Sequence, residues 1–287
     1  TEETLLIGCD HSIHAITGEP LLEGRPQVVS DKVGIAWNSS WTKDREGRIY
    51  FFESQGGIWV LQLGGGAQRI SRDRIERRLR DIDLSTYYVH LEWDYEDEGL
   101  RVCLFPWGAP GALVERYFWE QQTDAWWPDT SSDLNKQPTA MWALDGDEPG
   151  DRVLLVGSGD GYVLKQDRTA ADDDGTAIYA QCDIGPFGAI DANRESRFNR
   201  FAVTLSDSQG GARSQMFSSN EPDVKGGIKA DKVLLPGRNG PFYQRVAAAH
   251  LWLRIANHKQ GERFAFEHAG VNATLAGRIK PKARERT

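Results

Sequence analysis

The sequence predicts an all-β chain, β-propeller-like repeats of about 50 residues followed by a β-rich C-terminal region. Three observations lead there. An acidic turn ending in glycine, a strand, a break and a second strand recur three times, with Gly47, Gly99 and Gly150 spaced 52 and 51 residues apart. The 30 glycines and the many acidic turns favour short strands over long helices. No apolar run approaches the roughly 20 residues that span a bilayer, and no signal-peptide pattern opens the chain.

The units follow in order. Leu5-Leu6-Ile7-Gly8-Cys9-Asp10-His11-Ser12-Ile13-His14-Ala15-Ile16 carries the apolar pattern and central break of a later copy, so the chain is expected to open in mid-blade. Thr1 is not an initiator methionine, and a longer product is expected to begin upstream. Gly18-Glu19-Pro20 reads as a turn. The next unit has expected strands at 34–41, 48–52, 58–61 and 68–70, with Gly64-Gly65-Gly66 as its last turn. Residues 71–83 break the pattern: Ser71 is placed to cap a short helix, with Ile75, Leu79 and Ile82 on one face. Residues 86–130 and 138–183 form two further units. Beyond Gly185-Pro186 the period is lost. The expected organisation is blades over 1–185 (the first partial), a sandwich or ring-completing strands over 186–280, and a basic tail over 281–287.

Composition narrows the function. A formal net charge of −8 disfavours broad nucleic-acid binding, which rests on phosphate neutralisation, yet an acidic lumen would let a polyanion slide through. Cys9, Cys103 and Cys182 are odd in number, distant and free of any Cys-x-x-Cys pair, so buried reduced thiols are expected rather than disulfides or a metal site. Arg72, Arg74, Arg77, Arg78 and Arg80 concentrate positive charge on the expected helix and, with the basic tail, mark a possible docking surface. Trp41, Trp93 and Trp142 precede successive acidic turns, and Trp59 and Trp119 match on a later strand, which reads as repeated core packing. Trp126 and Trp127 are adjacent, so on a strand they face opposite ways and one is open to contact.

Catalytic and metal patterns are thin. Asp172-Asp173-Asp174-Gly175 lacks the first and last ligands of a calcium loop. Glu92, Asp94, Glu96, Asp97 and Glu98 crowd one turn, where carboxylates solvate a loop rather than flank a glycosidic bond. His11 and His14 face opposite sides of a strand, and there is no nucleophile elbow, phosphate loop or His-Glu-x-x-His. No catalytic residue, metal or cofactor is expected, and the chain is expected not to be an enzyme.

Several stretches carry a resemblance: Ser30-Asp31-Lys32-Val33-Gly34-Ile35-Ala36, Glu46-Gly47-Arg48-Ile49-Tyr50-Phe51-Phe52, Gly56-Gly57-Ile58-Trp59-Val60, Ile70-Ser71-Arg72-Asp73-Arg74-Ile75-Glu76, Asp124-Ala125-Trp126-Trp127-Pro128 and Asp160-Gly161-Tyr162-Val163. In order and spacing they resemble the propeller portion of the tubular or nozzle proteins of tailed-bacteriophage tails. The resemblance covers roughly residues 5–185. It implies a structural virion protein, assembled in the host cytoplasm into a ring, commonly of six copies, that meets other tail proteins and lets DNA pass without gripping it. The alternatives are a propeller that binds glycans or proteins, with Trp126 or Trp127 as the contact, and a hydrolase on the same scaffold.

Overall fold

The computed structural model describes residues 4–18, 24–62, 66–72, 74–108, 114–131, 133, 136–144, 146, 152–167, 169–170, 172–188, 194–207, 210–257, 259 and 261–278. Strand accounts for 59% of the described residues and helix for 3%, which makes the fold all-β. Two units divide the chain, Thr1–Arg168 and Thr169–Thr287.

The first unit is a succession of small antiparallel sheets. Blade I holds β1 (Thr4–Gly8), β2 (Ile13–Thr17) and β3 (Arg25–Ser30), in that order across the sheet. Blade II holds β4 (Trp41–Lys43), β5 (Ile49–Phe52), β6 (Ile58–Leu61) and β7 (Ala67–Arg69). After helix α1 (Glu76–Arg80), blade III holds β8 (Tyr87–Asp94), β9 (Gly99–Pro106), β10 (Glu115–Glu120) and β11 (Ala125–Asp129). Blade IV holds β12 (Pro138–Leu144), β13 (Val153–Ser158) and β14 (Val163–Lys165).

Strands β4, β8 and β12 stand side by side at successive blades. Ser40 Oγ donates to the Val89 carbonyl at 2.8 Å, and Leu91 N–H donates to the Ser39 carbonyl at 3.0 Å. Alternation along each strand then fills the spaces between blades. Tyr50, Phe52 and Ile58 of blade II meet Val89, Leu91, Trp93 and Leu100 of blade III. Cys103 and Phe105 of blade III meet Met141 and Leu154 of blade IV. Ile13 of blade I meets Phe51 and Leu61 of blade II.

The acidic turns are hydrogen-bonded devices as well as solvated loops. Asp44 and Asp94 are buried. Asp44 accepts the backbone N–H groups of Glu46 and Arg48 and pairs with the Arg48 side chain. Asp94 accepts from the Glu96 and Asp97 N–H groups at 3.0 and 3.1 Å and pairs with Arg101 at 2.9 Å. The third turn, residues 145–150, falls mostly outside the described residues, as do Glu19-Pro20, Gly64-Gly65 and the basic tail.

Three local expectations are corrected. The strand expected over 34–41 is an irregular crossover, and the inner strand is confined to Trp41–Lys43. A turn closed by the Ser40 N–H on the Trp37 carbonyl at 3.1 Å breaks the run, and Gly34 sits where a Cβ would meet the Cys9 carbonyl oxygen. Ser71 caps no helix, because its Oγ accepts the Ile58 N–H at 3.1 Å, and the first helical residue has no side-chain cap. The helix nevertheless buries Leu79, with Ile75 and Ile82 beside it, across the space between blades II and III. Cys9 is exposed and Cys182 half-buried, leaving Cys103 as the buried thiol. Burial pushes Cys103 up to about 12, so its thiolate is scarce at neutral pH. With a water-soluble disulfide reagent, Cys9 is expected to react at once and Cys103 only on unfolding. Rapid titration of Cys103 in the native protein would contradict the packing of blades III and IV.

The second unit begins with a hairpin of β15 (Asp172–Asp173) and β16 (Thr176–Ala177). Asp172 accepts the Gly175 N–H at 2.8 Å, so this acidic run forms a turn. One sheet follows with order β17 (Gln181–Gly188), β22 (His250–Ala256), β19 (Ala212–Ser219), β20 (Ile228–Leu234). The other has order β21 (Arg238–Ala248), β18 (Arg194–Leu205), β23 (Phe266–Arg278). Phe198, Phe201, Met216, Leu234, Val246 and Leu253 form one core from both sheets, a β-sandwich.

Candidate functional site: an aromatic cavity between blades I and II

Blade I has three described strands, and β1 does not stand beside β4 as β4 stands beside β8 and β8 beside β12. Trp41 pairs with Phe51 across β4 and β5, so its ring faces blade I. No described strand of blade I covers it, and Trp41 is 47% exposed. The space it faces is a cavity of about 380 Å³. Leu6, Ile13, Ile35, Ile49 and Leu61 give it apolar walls, while Trp37 and Trp41 add aromatic faces and Asp10 and Asn38 add polar groups.

The Trp37 ring is held by a run of aromatics. It meets Trp107 edge-on at 5.8 Å, Trp107 meets Tyr88 at 4.6 Å, and Tyr88 meets Phe105 at 5.1 Å. Its Nε1 is buried and has no hydrogen-bond partner among the described residues. A buried indole N–H without a partner is costly.

The matching tryptophans therefore diverge. Trp93 is 3% exposed and stacks on Tyr50 at 4.9 Å between blades II and III. Trp142 is 67% exposed. It pairs with Leu155, whereas Met141 and Ala143 on either side of it face blade III, so Trp142 points the opposite way. The core expectation is corrected for Trp41 and Trp142. It stands for Trp59, which packs between blades I and II, and Trp119, between blades II and III.

The other residues singled out in the sequence scatter. Trp126 packs inward near Trp119, at 6.2 Å, and Trp127 is 49% exposed. Arg78 forks onto Glu115 of blade III, with Nε at 2.9 Å, and this hydrogen bonding holds Glu115 below the usual carboxylate range. Arg80 pairs with Glu76, which also meets Arg69 at 3.1 Å. Arg72, Arg74 and Arg77 are exposed, and the latter two line an open hollow with Arg80. The structure brings none of these arginines to the aromatic cavity.

The crowded carboxylates separate as well. Asp94 and Asp97 are engaged by Arg101, whereas Glu92 accepts from Thr42 Oγ1 at 3.3 Å and lies 3.8 Å from His90. No cluster of three or more metal-ligating side chains occurs among the described residues. Trp37, Asp10 and Asn38 were not singled out from the sequence. The available signal was the apolar pattern of residues 5–16, which sets Leu6 and Ile13 against blade II.

Fold and site together define a β-propeller-like protein with an aromatic cavity between two blades. No family model matches the chain, and no curated protein matches it. Solved structures do. Two variants of an exo-β-1,3-galactanase from Phanerochaete chrysosporium, both with β-1,3-galactotriose, match at 8% identity over 96% of this chain and 78% of theirs, with TM-scores of 0.31 and 0.32. A chain described as a glycoside hydrolase matches at 9% identity over 94% and 81%, with a TM-score of 0.28. The expectation of a protein without enzymatic activity is set against this finding and is not kept: the matched structures are named as a galactanase and a glycoside hydrolase. At this level of likeness no reaction or substrate transfers to the present chain.

Proposed function

We propose that this chain is a glycan-binding module that holds one or two sugar rings in the cavity between blades I and II. The observation that carries the reading is the open indole face of Trp41 on a cavity of about 380 Å³, within the size range of small-molecule sites. Sugar rings present apolar C–H faces to aromatic platforms and hydroxyls at their edges. Trp41 supplies the platform, the Trp37 ring a second aromatic wall, and Asp10 and Asn38 acceptors and an amide. Trp127, half-exposed on blade III, is the lesser contact.

A panel of neutral and acidic oligosaccharides, followed by calorimetry on the binders, tests the reading. Trp41→Ala is expected to weaken binding about tenfold or more, in line with the roughly 1–3 kcal/mol that aromatic stacking contributes in other recognition sites. Unchanged affinity in that variant would sink the assignment. Release of reducing sugar, read on the same samples, would add turnover to binding.

A second reading rests on a different surface. Trp142, Leu144 and Val163 are exposed on blade IV, Trp142 on the face away from blade III. We propose that this apolar face packs against another copy, as in the tail rings that the sequence resembles. Exposed apolar groups gathered on one face mark interaction sites, and a head-to-tail contact of this type closes into a ring when the rotation allows. Native mass and negative-stain images are expected to show a ring that Trp142→Asp dissociates. A monomer at every concentration would overturn it.

A further inference from the structure

The outer face of the sheet β21-β18-β23 belongs to neither the core nor the cavity, and its chemistry is distinct. A bulge in β18 between Phe198 and Arg200 changes the alternation, so Arg197 and Arg200 both stand outside while Phe198 and Phe201 are buried. Asn199 Nδ2 donates to Thr274 Oγ1 at 3.1 Å, and Thr274 Oγ1 donates to the Arg197 carbonyl at 3.3 Å, which pins the bulge. On the neighbouring strand Tyr243 lies directly opposite Arg200, and Arg245 follows two residues on, about 7 Å along the strand. Arg238 is opposite Thr204 further along.

All four arginines are exposed, and none forms an ion pair with a described residue. Nearby arginines of the same unit are engaged: Arg213 pairs with Asp231 and Arg254 with Asp183. Tyr243 is 77% exposed, opposite Arg200 in the register. Glu195 is the one carboxylate on β18. Among the described residues these guanidinium groups have no ion-pair partner, and Arg200 and Arg245 lie nearest an open aromatic ring.

We propose that this sheet face binds single-stranded nucleic acid, with Arg197, Arg200 and Arg245 on phosphates and Tyr243 stacked on a base. The sheet face is open to solvent at Arg197, Arg200, Tyr243 and Arg245. It can present a stacking platform and backbone cations to an unpaired strand, whose bases are free to turn onto the ring. The arginines supply positive charge and the forked donors that fit phosphate oxygens. This site is independent of the aromatic cavity.

The test is fluorescence anisotropy of a fluorescein-labelled oligothymidylate with the full chain, over a series of salt concentrations. Binding is expected at low salt, weakening as salt rises. Combined Arg197→Gln, Arg200→Gln and Arg245→Gln substitution is expected to weaken binding at least about tenfold and flatten the salt dependence. Tyr243→Ala is expected to weaken it about tenfold with the salt slope retained, a split that a non-specific charge effect would not produce. All four side chains point outward, so the thermal transition of each variant should match the parent and serves as the folding control. No binding at low salt, or equal binding by the variants, would overturn the proposal. So would polyglutamate competing as well as the oligonucleotide, which would assign the face to acidic polypeptides. Equal competition by a duplex would remove the role of Tyr243.

Discussion

Trp93→Ala is expected to lower the stability of the first unit by about 3–5 kcal/mol, the cost of truncating a large buried aromatic. The Trp93 ring fills the space between blades II and III and stacks on Tyr50 at 4.9 Å with 21° between planes. Its backbone N–H receives a partner from the next blade, Thr42 Oγ1 at 3.2 Å. The cavity left behind cannot close easily, because the inner strands β4 and β8 are tied at Ser40–Val89 and Ser39–Leu91. Urea unfolding followed by far-UV circular dichroism measures the change. Trp142→Ala, at an exposed position preceding an equivalent turn, is expected to change stability by no more than about 0.5 kcal/mol. Equal effects at the two positions would mean that the blades do not pack in the order described.

Asp94→Ala is the second large effect, expected at about 3 kcal/mol, the lower end of the range for breaking a buried pair from one side. The Asp94 carboxylate accepts two turn N–H groups, the Arg101 guanidinium and Gln166 Nε2 at 3.3 Å. Arg101 keeps Asp97 at 2.8 Å and Asp129 at 3.3 Å, so the loss orphans the N–H groups more than the cation. Asp94→Asn retains an acceptor for the turn and should fall between alanine and the parent. Because Asp94 is buried, salt should alter the difference little. A substitution at Asp94 that cost no more than one at exposed Glu96 would show that the turn is held by the chain alone.

Much of the first unit was legible because its signals are local. The acidic turns were visible as punctuation, and the structure adds that each described one is closed around an inward carboxylate, Asp44 or Asp94. The face of Ile75, Leu79 and Ile82 followed from helical spacing and is the face that α1 and its flanks bury. Alternation alone separated Trp126 from Trp127. Other features were not legible. Trp41 and Trp142 share the sequence context of Trp93, but their exposure depends on which strand stands opposite, and that is a long-range fact. The unpaired arginine face escaped for a related reason: a bulge at Asn199 changes which residues point outward, and no simple period reports a bulge.

By itself the sequence determined the all-β class, the repeat and the turns, since these arise from residues within a few positions of one another. Tertiary structure decided which of several equivalent tryptophans are core and which line a cavity. It also decided which cations are neutralised and which remain open. Burial and ion pairing depend on what the neighbouring sheet places within a few ångströms, and β-sheet neighbours come from distant parts of the chain.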